Sequence, residues 1–406
     1  MTPEIKLQIE QIQNGSVPDG YKKLNVSDYC IPNEWTTISM ADLFTEFSEK
    51  NHPDSDVLTI IQGTGTVLRE ESGREITYDT DSLSNYKFVK KGDFIIHLRS
   101  FEGGLEIANQ YGIVSPAYII LRPKSNIATE YYYALFHSNR FINQTMAPAV
   151  EGVRDGRSVK YKVLKNQVVP FPPLPEQQQI SKILSAQDKI IALKQKLLQE
   201  KQQQKKYLMQ KLLSADGASF IIDGVEIDKS GWKKCFISEI CKLKSGNPIT
   251  AKEFDANGVY PVYGGNGLRG FTNTFTHEGK HCLIGRQGAL CGNVKFVEGR
   301  FFASEHAIVV TSTENDELFL FYFFDHMRLN KKSESSAQPG LSVEKLLKLK
   351  SFLPTFPEQQ VIAKVLSAAD KEIELLQKSI EQEKQKKKAL MQLLLTGIVR
   401  VKIYEC

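Results

Sequence analysis

The sequence has no long apolar run among its 406 residues. None of its apolar stretches reaches the roughly 18 residues that a membrane span needs. The N-terminal stretch MTPEIKLQIEQIQNG has no apolar core of the kind that a secretory signal requires. We therefore predict a cytoplasmic protein that has no membrane segment.

The sequence also lacks paired cysteines, because its six cysteines are scattered and none form a Cys-x-x-Cys pair. His277, His281, Cys282 and Cys291 lie near one another in the sequence. Structural zinc sites use more closely spaced ligand pairs than these. We therefore predict ordinary reduced thiols, surface histidines and no bound metal.

Apolar residues make up 41% of the chain, which is enough to build folded cores. The length predicts about two to three domains. Lysine and arginine number 52 against 47 acidic residues, which gives a net charge of +5. This mildly basic balance is compatible with a nucleic-acid partner but does not by itself indicate one.

One long helical segment is present twice. Residues 175–214 and 357–396 align without a gap at an offset of 182, with 23 identities in 40 positions. Each copy begins with Pro-Glu, which suits the first turn of a helix, and ends near a glycine. At 1.5 Å per residue, about 40 residues make a rod of roughly 60 Å, which is much longer than a typical globular helix.

Both copies carry apolar residues at the alternating spacing of four and three that is typical of coiled coils. The simplest arrangement is an antiparallel coiled coil of the two helices, and packing of each helix on its own domain is the alternative. The seam consists of Ile180, Leu184, Ile191, Leu198, Leu208 and Leu212 in the first copy and Ile362, Leu366, Ile373, Leu376, Ile380, Leu390 and Leu394 in the second. Polar residues interrupt this seam at Lys201, Lys205, Glu383 and Lys387.

The two segments that precede these helices share an order of elements although few residues match. Each begins near a tryptophan, Trp35 or Trp232, and continues through short strands, an aromatic helix, a polar loop and a proline-rich strand. Short strands and few helices predict an α+β class with a curved antiparallel sheet. The predicted boundaries are a first module at 1–174, a helix at 175–217, a second module at 218–356 and a helix at 357–406.

These motifs resemble the specificity (S) subunits of type I restriction-modification systems. The resemblance rests on the proline-rich strand, on PEQQ, on ILSAQDK or VLSAADK, and on the long helix with KKxLMQxLL, all of which occur twice. VYPVYGGNGLRGF at 259–271 strengthens it, since such subunits often carry a similar stretch early in a recognition domain. The resemblance spans the whole chain. It implies two similar α/β target recognition domains, an antiparallel coiled coil, a pseudo-two-fold relation and a circular organisation with both termini near one junction.

The resemblance further implies a non-catalytic subunit that binds double-stranded DNA. Each module would read one half of a bipartite site, and the helices would set the gap and dock two methyltransferase (M) subunits. Restriction (R) subunits would join this core. S-adenosylmethionine for adenine methylation, and ATP and Mg²⁺ for cleavage, would serve those partners, so this chain would hold no cofactor. The polar positions of the seam would be where partner subunits complete the helix bundle.

Two other functions stay open at this point. One is an S-like subunit of a type IIB system, whose partner joins methylation and cleavage in a single chain. The other is a coiled-coil scaffold without a DNA role. A salt-dependent shift of duplex DNA would separate both S-like functions from the scaffold.

Sequence motifs for catalysis by this chain itself are lacking. The Asn-Pro-Pro-aromatic motif of adenine methyltransferases is absent, and only Asn247-Pro248-Ile249 comes near it. GNGLRG at 265–270 matches G-x-G-x-x-G, but the polar stretch that follows is not the start of a helix. There is no P-loop motif, so the sequence shows no self-contained helicase motor.

Base readout needs directional donors, mainly Arg, Asn, Gln and Lys, whereas phosphate contacts only position a module. Residues that can contact DNA on glycine-rich and polar loops are therefore the best candidates, and Tyr263 and Phe271 are expected in the core. The candidates are Arg99, Ser100, Arg154, Arg157 and Lys160 in the first module and Asn266, Arg269, Arg286, Gln287, Lys331 and Gln338 in the second. Two modules related by a pseudo-two-fold predict half-sites roughly 34–36 Å apart, with a nonspecific gap of several base pairs.

Overall fold

The contacts within the chain divide it into two units, and the long helices contribute residues to both. The computed structural model of the protein describes residues 3–14, 16–23, 30–73, 80–124, 126–288, 290–332 and 340–402. Unit 1 contains the residues up to Leu193 and those from Ile380 onwards, and unit 2 is the continuous segment Lys194–Ser379. Within the described residues, no helix is both long and apolar enough to cross a membrane.

Unit 1 is built from short strands, short helices, the first half of one long helix and the last part of another. Its strands are β1 (Tyr21–Lys23), β2 (Cys30–Pro32), β3 (Thr36–Ser39), β4 (Phe44–Phe47), β5 (Leu58–Ile61), β6 (Gly65–Leu68), β7 (Lys87–Val89), β8 (Phe94–Ile96), β9 (Glu106–Ile107), β10 (Gly112–Val114), β11 (Ile119–Pro123), β12 (Val150–Glu151), β13 (Ser158–Val159) and β14 (Val168–Phe171). Its helices are α1 (Pro3–Gln13), α2 (Met40–Leu43), α3 (Ser100–Gly103), α4 (Thr129–Phe136) and α5 (Tyr161–Leu164), followed by α6 (Leu174–Leu213), which continues into unit 2.

An aromatic core holds unit 1 together. α4 buries Tyr131, Tyr132, Leu135 and Phe136 on one face, because residues one, four and five positions apart lie on the same side of a helix. The ring of Phe136 lies edge-on to that of Phe94 in β8, with 5.2 Å between the centroids. Full burial of a side chain such as Phe contributes roughly 1.5–3 kcal/mol. This core therefore fixes α4 against an antiparallel sheet of order β4-β11-β8-β9.

Unit 2 has a larger sheet and the other halves of the long helices. Its strands are β15 (Phe220–Ile222), β16 (Val225–Ile227), β17 (Lys233–Phe236), β18 (Cys241–Ser245), β19 (Tyr260–Gly264), β20 (Gly267–Thr272), β21 (His277–Gly285), β22 (Val294–Ala303), β23 (Ala307–Ser312) and β24 (Lys350–Leu353). Its helices are α7 (Ile237–Ile240), α8 (Glu317–His326), α9 (Val343–Leu347) and α10 (Phe356–Leu395), of which the last continues into unit 1. Six strands form one sheet in the order β18-β23-β21-β22-β19-β20, antiparallel except for the parallel pair of β19 and β22.

The aromatic helices of the two units are attached to the long helices in the same way. In unit 1, the side-chain oxygen of Gln177 on α6 accepts a hydrogen bond from the backbone N–H of Ala128, just before α4, at 3.1 Å. In unit 2, Gln359 on α10 accepts from the N–H of Asp316, just before α8, at 2.9 Å. Because the two glutamines are separated by the repeat offset of 182, the units share this attachment.

In unit 2, α6 and α10 pack on each other in antiparallel directions. Lys194 donates to Ser379 at 2.8 Å, and Lys201 pairs with Glu372 at 2.8 Å. The α6 residue number rises from one contact to the next while the α10 residue number falls, as antiparallel helices require. The predicted fold class, with its antiparallel pair of long helices, is thereby confirmed.

Both packing arrangements that the sequence left open are present. In unit 1, the seam residues Ile180 and Leu184 of α6 and Leu394 of α10 are buried in the core of the module. In unit 2, the seam residues Ile362 and Leu366 are likewise part of the module core. The helix ends therefore pack on the modules, and the helices pack on each other.

The polar positions of the seam pair across the two helices. In unit 1, Gln187 donates to Glu383 at 2.7 Å, and Lys387 lies 2.5 Å from Asp188. In unit 2, Lys205 lies 2.5 Å from Asp370, and Lys201 has the partner described above. These groups are satisfied within the chain. The hypothesis that partner subunits complete the bundle at these positions therefore has no support from the structure.

One equivalent position differs between the units. In unit 2, the hydroxyl of Tyr322 on α8 donates to Asp370 at 2.7 Å, so this side chain fills the space beside the ion pair of Lys205 with Asp370. Tyr322 lies six residues after the attachment point Asp316. The equivalent position of unit 1, six residues after Ala128, is Ala134 on α4. A cavity of about 1050 Å³ lies there in unit 1, lined by Ala134 and Asp188 among others.

A tail that follows α10 closes unit 1. The guanidinium of Arg400 donates to the carboxylate of Glu176 at 2.7 and 3.0 Å, and the indole N–H of Trp35 donates to the same carboxylate at 2.8 Å. Glu176 is fully buried, and a buried carboxylate is costly without such partners. The hydroxyl of Tyr21 donates to the carbonyl of Gly397 at 2.8 Å. The first strand and the tail therefore meet in the same unit.

Candidate nucleic-acid interface

The candidate arginines of unit 1 lie on two neighbouring loops. Arg99 immediately precedes α3, and Arg157 follows a 3₁₀ turn at Arg154–Gly156. Glu102 lies between them, 3.8 Å from the guanidinium of Arg99 and 3.9 Å from that of Arg157. The guanidinium of Arg157 also lies over the ring of Phe101, 4.4 Å from its centroid. The structure therefore brings Arg99 and Arg157 together around Glu102.

Ser100, which follows Arg99 in the sequence, is not exposed to solvent. Its side chain is fully buried, and its hydroxyl accepts a hydrogen bond from the backbone N–H of His97 at 2.9 Å. The hydroxyl thus fixes the start of α3 and leaves no surface for DNA. The prediction that Ser100 contacts DNA therefore does not fit the structure. Arg154 and Lys160 are exposed on the adjoining loop and stay predicted DNA contacts.

A buried carboxylate anchors the far end of the Arg99 loop. Glu106 accepts hydrogen bonds from the N–H of Gly63 at 2.7 Å and the hydroxyl of Tyr133 at 3.2 Å, and His137 Nε2 lies 3.0 Å from it. Burial opposes its ionisation, but the hydrogen bonds from His137 and Gly63 prevail and lower the pKa of Glu106. The ionised group therefore joins β9 to α4 and to the β5–β6 turn.

Close backbone packing restrains the same loop. Gly104 has a φ of +96°, and a Cβ there would lie 2.2 Å from the carbonyl oxygen of Phe136. Only glycine fits such an approach at a positive φ. The loop from Arg99 to Glu106 is thus held at both ends and pressed onto α4.

In unit 2, two candidates meet at turns that are distant in sequence. Asn266 is exposed in the turn between β19 and β20, next to Gly265. A Cβ on Gly265 would lie 2.7 Å from the carbonyl of Gln287 and 3.2 Å from that of His306, so the three turns touch. The side-chain oxygen of Gln287 lies 3.1 Å from His306 Nδ1. His306 is thus a residue of this surface that the sequence reasoning missed.

The remaining candidates of unit 2 lie elsewhere. Arg269 is exposed on β20, with its guanidinium 5.5 Å from the ring centroid of Phe254. Arg286 is half-buried, and Lys331 is exposed after α8. Gln338 lies outside the described residues.

Tyr263 and Phe271 of unit 2 are both predicted to lie in the core, and this is correct for Tyr263 alone of the two. Tyr263 packs edge-on to Phe301, with 5.9 Å between the centroids. Phe271 is 40% exposed on the edge strand β20, so its predicted place in the core is wrong.

Cys282 and the histidines that are close to it in sequence lie in different surroundings, because the rings of His277 and His281 are neighbours at 5.7 Å and both contact Phe301. Cys282 is buried in the core of unit 2, and burial holds the pKa of its thiol well above the usual range. The ring of His277 stacks on Phe301 at 5.5 Å. Across the part of the chain that the structure describes, no group of three or more His, Cys, Asp or Glu side chains is placed to hold a metal ion.

Two modules that carry exposed arginine-bearing or amide-bearing loops and pack on parts of two long helices define a bimodular protein. A family model described as the type I restriction modification DNA specificity domain matches residues 32–202 and again residues 229–385. The chain belongs to this family, as its motifs predicted. The first match covers most of the first module and extends into α6. The second match covers most of the second module and extends into α10.

The similar proteins are specificity subunits. The MjaVIII specificity subunit of Methanocaldococcus jannaschii is 25% identical over 405 residues, covering 92% of this chain and 94% of the relative. The EcoprrI specificity subunit of Escherichia coli is 41% identical over 148 residues, but these span only 35% of this chain and 37% of the relative. The S subunit structure from M. genitalium matches 95% of this chain at 17% identity with a TM-score of 0.58. This likeness supports the same fold.

Proposed function

We propose that this chain is the DNA-specificity subunit of a type I restriction-modification complex. Each unit would read one half of a bipartite site, and the two long helices would set the gap between the halves. The observation that carries this proposal is that the family model matches both modules, each of which presents its own exposed loops. The chain itself would be non-catalytic.

The partners follow from the same proposal. The chain would bind double-stranded DNA and two methyltransferase (M) subunits, and restriction (R) subunits would join that core. S-adenosylmethionine would be bound by the M subunits, and ATP and Mg²⁺ would serve cleavage by the R subunits. No cofactor is assigned to this chain.

Methylome sequencing tests the proposal directly. In a host that lacks adenine methylation, co-expression of this chain with its M subunit should place methyladenine at one bipartite motif. The M subunit alone should leave the genome unmodified, because the sequence would be read by this chain. Methylation at the same motif without the chain would contradict the proposed function.

The exposed apolar side chains of the long helices support a docking role. In unit 1, Leu193 on α6 is 68% exposed. In unit 2, Leu197 on α6 and Leu375 on α10 are 42% and 54% exposed. Leucines at these exposures are solvated in the free chain, and their burial against a partner would be favourable. We propose that M subunits cover these residues.

Replacing Leu193 and Leu197 together by Asp should weaken binding of the M subunit at least about tenfold, since a buried leucine contributes roughly 1.5–3 kcal/mol. Titration calorimetry with purified M subunit would measure this change. Gln195→Asp with Gln199→Asp is the matched control, because both glutamines are exposed on α6 and the charge change is equal. Equal affinities of the two double variants would exclude the leucines from the docking surface.

A further inference from the structure

We propose that Glu102 is a base-reading residue of unit 1, which accepts a hydrogen bond from the N4 amino group of cytosine. Arg99 and Arg157, on either side of it, would contact guanine. The inference rests on the proposed function and adds to it a chemical class of base pair, C·G, that unit 1 specifies. Glu102 is an acidic residue and is therefore not among the donor residues that the sequence predicts to contact DNA.

The cluster leaves most of its hydrogen-bonding groups available, although Nε of Arg157 donates to the carbonyl of Arg154 at 3.3 Å. The distances of 3.8 and 3.9 Å between the carboxylate of Glu102 and the two guanidiniums exceed a hydrogen bond. The side chain of Glu102 is 38% exposed, and those of Arg99 and Arg157 are 66% and 46% exposed. Ion pairs this exposed contribute little to stability. These ion pairs therefore add little to the stability of the fold. They leave the carboxylate of Glu102, an acceptor, exposed to solvent between two guanidinium donors.

The chemistry of DNA selects what such an acceptor can meet. Phosphates repel a carboxylate, so Glu102 weakens binding to any surface made of phosphate alone. Base edges in the major groove offer the amino groups of cytosine and adenine as donors, and Glu characteristically accepts from cytosine N4. Arginine makes its commonest specific contact with O6 and N7 of guanine. Acceptor and donors side by side therefore fit cytosine next to guanine.

The loop is rigid enough for such readout. The hydroxyl of Ser100 and the carboxylate of Glu106 hold its two ends, and Gly104 packs on α4 without room for a side chain. The ring of Phe101 lies against the guanidinium of Arg157 and restricts its orientation. Groups that are ordered before binding lose less entropy on contact, which favours discrimination between bases.

Methylome sequencing of Glu102→Ala and Glu102→Gln, each with the M subunit, tests the inference. The wild-type half-site read by unit 1 should contain a specified C·G pair, and Glu102→Ala should relax the preference at that pair about tenfold or more. Glu102→Gln should shift the preference there toward adenine, whose N6 and N7 pair with an amide. The half-site read by unit 2 should stay unchanged. Glu70→Gln, another exposed acid of unit 1, is the control and should leave the motif intact.

A variant that no longer supports methylation can still be tested by DNA binding. Its affinity is then measured for duplexes that carry each of the four base pairs at each half-site position. An equal loss for every base pair in both Glu102 variants would show that Glu102 only orders the arginines, and this would overturn the inference. A wild-type half-site for unit 1 without a specified C·G pair would overturn it as well. Wild-type chain that directs no motif-specific methylation would instead refute the proposed function.

Discussion

Replacing residues 22–174 by the first module of another specificity subunit should change one half of the methylated motif completely. The other half and the gap should be unchanged, because the replaced core is confined to unit 1. Each specified base pair contributes roughly 1–3 kcal/mol to discrimination, so several changed pairs amount to a full switch of preference. Methylome sequencing of the chimera with the same M subunit measures both halves at once.

The chimera must keep the contacts that cross its junctions. Trp35 donates to Glu176, and the N–H of Ala128 donates to Gln177, so the donor module needs tryptophan and the same helix start at these positions. The matched control replaces residues 218–356, which should change only the opposite half. A chimera in which both halves change would show that the modules do not read DNA independently.

Removing one heptad from each long helix should shorten the gap by about three base pairs. The segments 194–200 and 373–379 face each other, since Lys194 contacts Ser379 and Lys201 contacts Glu372. Seven residues at 1.5 Å each remove about 10.5 Å, close to three base pairs at 3.4 Å. A heptad nearly preserves the helical phase, so the remaining cross-helix pairs can form again. The motif found by methylome sequencing reports the new gap.

Removal of 194–200 alone is the control for this prediction. It shifts α6 against α10, so that Lys201 and Lys205 lose their partners Glu372 and Asp370. We expect a lower melting temperature and no methylation from this one-sided deletion. A two-sided deletion that folds, methylates DNA and keeps the original gap would disprove the ruler role of the helices.

The long helices could be predicted from the sequence because their signals are local. The copies at 175–214 and 357–396 correspond to α6 and α10, which begin one residue earlier and end one residue earlier. The sequence also indicates an aromatic helix, TEYYYALFHSNRF at 129–141, but α4 ends at Phe136, five residues before the end of this stretch. The chain there enters a short π-helical turn at Phe141–Met146, which apolar periodicity does not signal.

The site was less predictable because its geometry depends on non-local contacts. Gln287 and His306 meet only because β21, β22 and β23 are neighbours in the sheet, which the spacing of 19 residues does not reveal. Ser100 and Arg99 are adjacent in sequence, yet one is buried and the other exposed. The role proposed for Glu102 does not follow from a pattern of donor residues, because a carboxylate accepts hydrogen bonds. Backbone capping and burial thus determined which loop residues reach the surface.

The discontinuity of unit 1 reverses the usual order in which domains are completed during synthesis. Domains commonly fold as units, the N-terminal one first. Here all of unit 2, Lys194–Ser379, is synthesised before the last part of unit 1, which begins at Ile380. Among the residues that the structure describes, the side-chain donors to the carboxylate of Glu176 are Trp35 and Arg400, and Arg400 lies in this last part. The core of unit 1, which includes Leu394 and Leu395 of α10, is therefore completed only after all of unit 2 has been synthesised.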